Sequence, residues 1–491
     1  MATRLNLENL SRLDDKISTP AYARSGLKAG ILHFGVGNFH RAHQAVYLDT
    51  LFSKGLGHDW AILGASVMAN DSKAREILAE QDWLTTVVEQ EADYSQARVT
   101  GAMIGYLPPG DGPAIIAGLA DPAIRIVSLT ITEGGYFLDA NGNFDPSHPA
   151  IIDDVENPDS PATVFGLIIA GLKQRRKNGT EPFTVMCCDN IPHNGYMTRN
   201  TVGGLARLID PDFAAWIEEN VAFPNAMVDR ITPATSDRER ELCAKRYGIE
   251  DGWPVFCEAF SQWVLEDNFP AGRPPLEEAG VQFVPDVTPF ELMKLRILNG
   301  GHAAIAYPAG LLDVHFVHEA MEHPLVAAFL DKLEREEIIP AVPPVPDTDI
   351  NEYYKLIVKR FANPKIGDTV RRLCLDGSNR QPKFIVPTVA DNLKAGRSTD
   401  GLALESALWC RYCYGESDNG RKIEPNDPNW DQLVARSSYA KEDPAQWLAM
   451  KDVYGDLAAN STFARQFAHW LNMLWASGTK ETLETYLDGA A

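Results

Sequence analysis

The stretch Phe290-Glu291-Leu292-Met293-Lys294-Leu295-Arg296-Ile297-Leu298-Asn299-Gly300-Gly301-His302 sets an amine, an amide and an imidazole close together among apolar residues. On an α-helix turning about 100° per residue, His302 lies roughly 80° and Asn299 roughly 140° round from Lys294, so the three share one side. A lysine shielded from water can have its pKa lowered toward neutrality, where it accepts a proton. Amide and imidazole donors beside it can hold the oxygen that loses that proton. This is machinery for oxidising an alcohol. The same residues also fit a partly buried helix with a snorkelling lysine, an amide near its end and a histidine after a Gly-Gly break.

Elements that could position such a group follow from the hydrophobic pattern. The first half of the chain alternates apolar runs of strand length with helical patterns, as in a parallel sheet covered by helices. Gly30–Phe34, Trp60–Ala65, Arg125–Ile131 and Phe183–Cys188 are the strand candidates. Ligands of such sheets bind beyond the carboxyl ends of the strands, which singles out Gly35-Val36-Gly37, Thr132-Glu133-Gly134-Gly135 and Asp189-Asn190. From about Pro289 the pattern changes to helical segments rich in Ala, Leu and Trp, with Glu319–Glu336, Ala403–Tyr414 and Thr462–Ser477 as examples. The run Pro340–Pro346 reads as an extended surface connection, because proline breaks a helix. The expected fold is an α/β N-terminal Rossmann-type dinucleotide-binding domain over residues 1–285, followed by a predominantly α-helical C-terminal domain over 286–491.

After the first strand comes Gly35-Val36-Gly37-Asn38-Phe39-His40-Arg41-Ala42. The first glycine permits a tight turn and the second lets backbone approach a pyrophosphate at a helix N-terminus. His40 occupies the place of the third glycine, so the motif is degenerate. An ordinary strand-to-helix turn is the alternative. An acid closing the second strand would hold the adenosine ribose, and Asp71 is the first available after Trp60–Ala65. It lies 36 residues beyond Gly35, against a usual separation of about 20. A longer crossover with the Gly55-Leu56-Gly57 loop accounts for the excess. A carboxylate there repels a 2′-phosphate, which favours NAD over NADP, although Lys73 and Arg75 stand nearby.

With 491 residues the chain exceeds one ordinary core, and 45% hydrophobic with 23% charged residues is the make-up of a globular protein. A formal charge of −22 argues against nucleic acid as partner. The N-terminal stretch has no apolar core of secretory length and no run reaches membrane-spanning length, so a cytoplasmic protein without a membrane partner is expected. The seven cysteines are scattered, which makes a disulfide framework improbable. Cys187-Cys188 reads as buried strand. Cys410 and Cys413 read as helix-packing thiols, since no second Cys or His pair stands at zinc spacing.

His33–Ala45, Thr130–Tyr136, Cys188–Gly195, Phe223–Pro233 and Lys294-x-x-x-x-Asn299-x-x-His302 together resemble the polyol-specific long-chain dehydrogenases, over nearly the whole length and in the family's order. The mannitol-oxidising branch is the most similar. The resemblance implies a metal-independent reaction in which Lys294 is the general base and Asn190 and Asn299 stabilise the alkoxide-like oxygen. It gives His302 the orienting of substrate and base, and Glu133 a place on the proton path to solvent. Asp229, Arg372 and Arg380 match positions that hold substrate hydroxyls. Gly35, Val36, Gly37, Asn38, Phe39, His40, Arg41, Asp71 and Thr132 are then the NAD-binding positions. Arg380 stands where lysine is expected, which bears on substrate range, and Asn70 stands where related chains carry a second acid.

These roles suit the chemistry. Negative charge develops on oxygen as hydride leaves carbon, and each fixed donor meeting it is worth about 10² to 10³ in rate. Short-chain dehydrogenases use Tyr-x-x-x-Lys, yet none of the fifteen tyrosines has lysine four residues later. The expected reaction interconverts D-mannitol and D-fructose. Within the family, D-arabinitol, D-sorbitol or a hexuronate are the competing substrates, and Arg380 could serve the carboxylate of the last. A non-catalytic dinucleotide sensor on the same fold is the competitor from another class; it should lack the base and its donors. Family analogy points to a monomer.

Overall fold

The computed structural model describes residues 2–139 and 142–489, so Met1 and Ala491, the outer ends of the two expected domains, lie outside the described residues. The chain divides into two compact units, Met1–Thr288 and Pro289–Ala491.

The first unit is built on five parallel strands: β1 (Ala29–Phe34), β2 (Ala61–Ala65), β3 (Met103–Tyr106), β4 (Ile126–Leu129) and β5 (Thr184–Cys187). Their order in the sheet is β3-β2-β1-β4-β5. Side chains alternate between faces at period two. Leu32, Phe34, Val127, Leu129 and Val185 join the core under helices Gly112–Ala120 and Val164–Asn178. Ile31, Ile62, Ile126 and Met186 join the opposite core with Leu48, Leu51 and Phe52 of helix Gln44–Ser53. Both faces being covered, the strands read as near-continuous apolar runs, which is why they were legible. Helix Val164–Asn178 starts where the Thr163 hydroxyl accepts from the Gly166 amide and stops at Gly179 with φ +69°.

The chain runs from β1 outward to β2 and β3, then crosses back to place β4 on the other side of β1. The carboxyl ends of β1 and β4 therefore flank the switch point, where doubly wound sheets bind ligands. Among the described residues three smaller sheets were not expected from the sequence. One holds Val255–Glu258, Thr85–Gln90 and Ser95–Thr100; another holds Gln282–Val284, Gln262–Glu266 and Ala226–Asp229; the third pairs Thr3–Arg4 with Ile249–Glu250.

The second unit is helical. Helices Asp400–Tyr412 and Ser461–Asp488 pack together, burying Trp409, Phe467, Trp470 and Leu471. The Trp470 indole donates to Asp400 at 3.0 Å, and Trp409 meets Trp447 edge to face with ring centroids 4.7 Å apart. A break at Gly478 (φ +77°) interrupts the long helix beyond Ser477. Two expectations need correction. Glu319–Glu336 is not one helix: Pro324 opens a new helix, Pro324–Leu333, after Val317–Glu322, because its missing N–H suits a first turn. Pro340–Pro346 is not wholly extended or superficial: Ile339–Ala341 forms a 3-10 turn, and Val342 and Val345 are buried. All seven cysteines are buried free thiols, Cys410 and Cys413 among them.

Candidate active site

In the first unit, the turn after β1 is shaped by contact with the end of β4. Gly35 has φ +93°, and a Cβ there would meet the Thr130 carbonyl oxygen at 2.0 Å. Only glycine fits. Gly37 differs, since the nearest atom to a Cβ placed on it is the Gly35 carbonyl oxygen at 3.8 Å. A side chain there would fill an open cradle. Helix Asn38–Ala42 begins at Gly37 with no side chain capping its free amides. Open backbone and uncapped amides are the features a pyrophosphate requires, so the residues present fit a dinucleotide.

Val36 packs into the core on one side of this turn. The Asn38 amide nitrogen donates to the Pro233 carbonyl and the Thr235 hydroxyl, each at 2.9 Å. Arg41 is fully buried: it donates to the Asn38 side chain at 2.8 Å and to the Trp253 carbonyl, with its guanidinium 3.8 Å above the Trp253 ring. Phe39 stacks on His43 at 4.8 Å between ring centroids. His40 is fully buried too, stacked on His33. The side chains of Asn38, His40 and Arg41 thus brace the turn from within.

Asp71 ends the 3-10 turn Ala69–Asp71 after β2 and accepts a hydrogen bond from the Ser66 hydroxyl. Burial pushes the Tyr106 hydroxyl up to about 12, and the Asp71 charge adds to this. The Arg75 Nε donates to the Tyr106 carbonyl at 2.7 Å, which commits part of one nearby cation. Lys73 and Asn70 are exposed.

Thr132 and Glu133 follow β4 and are exposed, as is Asn190 after β5; Asp229, ending strand Ala226–Asp229, is buried. Asp189, marked in the sequence only by its place beyond the carboxyl end of β5, is a hub. Its carboxylate accepts from the Ile131 and Thr132 amides at 2.9 Å each and from the Tyr136 hydroxyl at 2.6 Å. Nothing in residue spacing announces that convergence.

In the second unit the lysine segment is not a straight α-helix. Thr288–Met293 is α-helical, Lys294–Asn299 is a π-turn, and Gly300–Leu311 resumes the α-helix. The Gly300 amide reaches back five residues to the Leu295 carbonyl. A wider turn carries Asn299, five residues on, closer to the face of Lys294 than the ideal helix allows; π-turns of this kind recur at functional sites. Lys294 and Asn299 are 6% and 9% exposed, and the Asn299 side-chain nitrogen is buried without a hydrogen-bond partner. A buried donor left so is costly unless something meets it. Glu291, one helical turn before Lys294, is also buried, at 6%. His302 is half-buried and stacks on Phe361 with centroids 4.3 Å apart.

Arg372 and Arg380 come together across two short helices, Val370–Leu373 and Gly377–Phe384. Arg372 grips Asp368 through two nitrogens, the Nε at 2.5 Å, while Arg380 donates to the Leu373 carbonyl at 3.0 Å. Among the described residues no group of three or more His, Cys, Asp or Glu side chains could hold a metal ion, and no helix is long and apolar enough to cross a membrane.

Residues 29–278 match the model of the mannitol dehydrogenase Rossmann domain, and 286–475 that of the mannitol dehydrogenase C-terminal domain. The chain is 59% identical to mannitol 2-dehydrogenase of Cereibacter sphaeroides, over 96% of this chain and 99% of the relative. It is 42% identical to that of Aspergillus oryzae over 99% of each. Among solved structures it is similar to Pseudomonas fluorescens mannitol 2-dehydrogenase in ternary complex with NAD and D-mannitol: TM-score 0.89, 43% identity, 99% of this chain and 100% of that one. A substrate-free D-sorbitol dehydrogenase gives TM-score 0.89 at 35% identity, over 98% and 100%.

Proposed function

The chain belongs to the mannitol dehydrogenase family, and from that premise we propose that it oxidises D-mannitol to D-fructose with NAD and catalyses the reverse reduction. Residues 1–285 hold the dinucleotide and residues 286–491 carry most of the reacting groups. The observation that carries the catalytic reading is the π-turn, with buried Lys294 at its start and the unpartnered amide of Asn299 at its end.

Lys294 takes the hydroxyl proton of the alcohol as the C–H bond yields hydride. The bound dinucleotide supplies the hydride acceptor. The Asn299 and Asn190 amides meet the negative charge that develops on oxygen, a task that needs no Lewis acid when donors are fixed in advance. His302, its ring held against Phe361, orients substrate and base. Glu133, exposed beside Thr132, leads the proton to solvent. Asp229, Arg372 and Arg380 hold the remaining hydroxyls. Toward the cofactor, the open backbone at Gly37 and the carboxylate of Asp71 hold pyrophosphate and ribose. The reading extends to a monomer acting in the cytoplasm.

Initial rates with NAD and NADP across mannitol, sorbitol, arabinitol and mannonate, before and after dialysis against a strong chelator, test the assignment. NAD with mannitol should give the highest kcat/KM, unchanged by the chelator. A higher kcat/KM on another polyol, or activity lost to chelator and restored by zinc, refutes it.

A further inference from the structure

Thr132 has φ +67° and ψ 160°, a conformation essentially confined to glycine because a Cβ carries a steric penalty there. Its neighbour Thr130 is the residue that forces glycine at position 35, so this loop forms one wall of the switch point between β1 and β4. The loop is gripped from the next strand. Asp189, 8% exposed and just past β5, accepts from two consecutive amides, Ile131 and Thr132, and from the Tyr136 hydroxyl four residues further on. Its own main chain is anchored in turn: Asn194 donates to the Asp189 carbonyl at 3.1 Å and to the Ala226 carbonyl at 2.7 Å, while accepting from the Ala226 amide at 2.9 Å. Tyr136 also lies 2.8 Å from the Cys187 sulfur and accepts at its carbonyl from the Thr201 hydroxyl.

We propose that Asp189 is a positioning residue for the dehydrogenase reaction, holding Thr132 in its glycine-like conformation and so fixing the loop that presents Thr132 and Glu133 at the dinucleotide crevice. Its carboxylate is engaged by three protein donors, and it acts through the two amides. This rests on the functional reading above. A carboxylate suits the task because both of its oxygens accept. An asparagine has one acceptor oxygen, and its NH₂ would face an N–H.

Asp189→Asn should therefore weaken NADH binding several-fold by fluorescence titration and lower kcat/KM for mannitol about tenfold or more. If the defect is release of Thr132, a residue that adopts the conformation freely should repair it. The double variant Asp189→Asn/Thr132→Gly should bind NADH more tightly than Asp189→Asn alone and recover part of the lost kcat/KM. A double variant no better than the single one overturns the proposal, as does an Asp189→Asn enzyme with parental NADH affinity. Should Asp189→Asn fail to fold, Thr132→Gly in the otherwise unchanged chain decides: relieving the strain that Asp189 opposes should raise the thermal midpoint, and an unchanged or lower midpoint refutes the clamp. The NADH titration and the thermal midpoint read the clamp whichever polyol the enzyme prefers, so failure of the substrate assignment remains distinguishable.

Discussion

The imidazoles of His33 and His40 stack face to face with centroids 3.5 Å apart and an interplanar angle of 13°, beneath the dinucleotide-type turn. This stack occupies the space that a third glycine would leave open. His33 is in hydrogen-bond contact with the Ser128 hydroxyl at 2.7 Å and the Gly35 carbonyl at 3.1 Å, so the ring pair fastens the turn to β4. Burial pushes His33 down to about 3, and burial together with the neighbouring His33 and Arg41 pushes His40 down as well.

Acid should consequently loosen this turn. Both rings are neutral in the folded chain but take up protons near pH 6.5 when unfolded. Their contribution is complete well above that pH and is lost as pH falls below about 6.5, for His33 down to about 3, at up to about 1.4 kcal/mol per pH unit for each ring. Urea midpoints between pH 7 and pH 5 will measure the slope. His40→Phe, which keeps a stacked ring, should flatten it by about 1.4 kcal/mol per pH unit; an unaltered slope would mean that His40 titrates within the fold.

Lys294→Ala should lower kcat/KM for mannitol oxidation by about 10³ or more, since a general base contributes roughly 10² to 10⁴ and the amine also positions substrate. NADH affinity, read by fluorescence, should barely move. Retention of more than about a tenth of the parental rate at neutral pH is incompatible with the assigned role.

Asn299→Ala removes the unpartnered buried amide. The loss of one preorganised donor should cost about 3 kcal/mol of barrier in oxidation and reduction alike. Thermal stability should fall little, because no protein hydrogen bond is lost from the Asn299 nitrogen. A variant that loses stability but keeps its rate would make Asn299 a packing residue.

Asp71→Ala should lower the NAD/NADP ratio of kcat/KM by roughly tenfold, about 1.4 kcal/mol, by removing the ribose acceptor and the repulsion of a 2′-phosphate. Ser66→Ala, which deletes the hydroxyl donating to that carboxylate, should shift the ratio in the same direction but less. An unmoved ratio in Asp71→Ala places the determinant elsewhere.

Much of this arrangement was visible in the residues. Four strands of the main sheet announce themselves because both faces are covered, so that runs such as Ile31-Leu32 are apolar throughout and Ile126–Leu129 admits a single small polar residue, the buried Ser128. β3 carries too short a signal, four residues, Met103–Tyr106, with a glycine inside, and hairpin Thr85–Thr100 mixes Gln, Arg and Ser with its valines. The spacing of Lys294, Asn299 and His302 suggested a shared face, but the i to i+5 turn carries no sequence signature, so the ideal-helix angle overstated the separation of Lys294 from Asn299. Asp189 stood in plain view as part of a motif. Its three donors come from a loop over fifty residues earlier in the chain, and such convergence belongs to topology, not to local pattern.

A π-turn amounts to an α-helix that has absorbed one surplus residue. Losing one codon between Lys294 and Asn299 would let the helix close to regular pitch, with amine and amide four residues apart and about 40° round from each other, so both would keep the same face. A second loss finds no surplus residue to give up and swings everything downstream by about 100° relative to the lysine. Composition and hydrophobicity would hardly register either event. For this chain an alignment gap of one position inside that segment is compatible with a working pair, whereas a gap of two is a graver sign of lost activity than several substitutions around it.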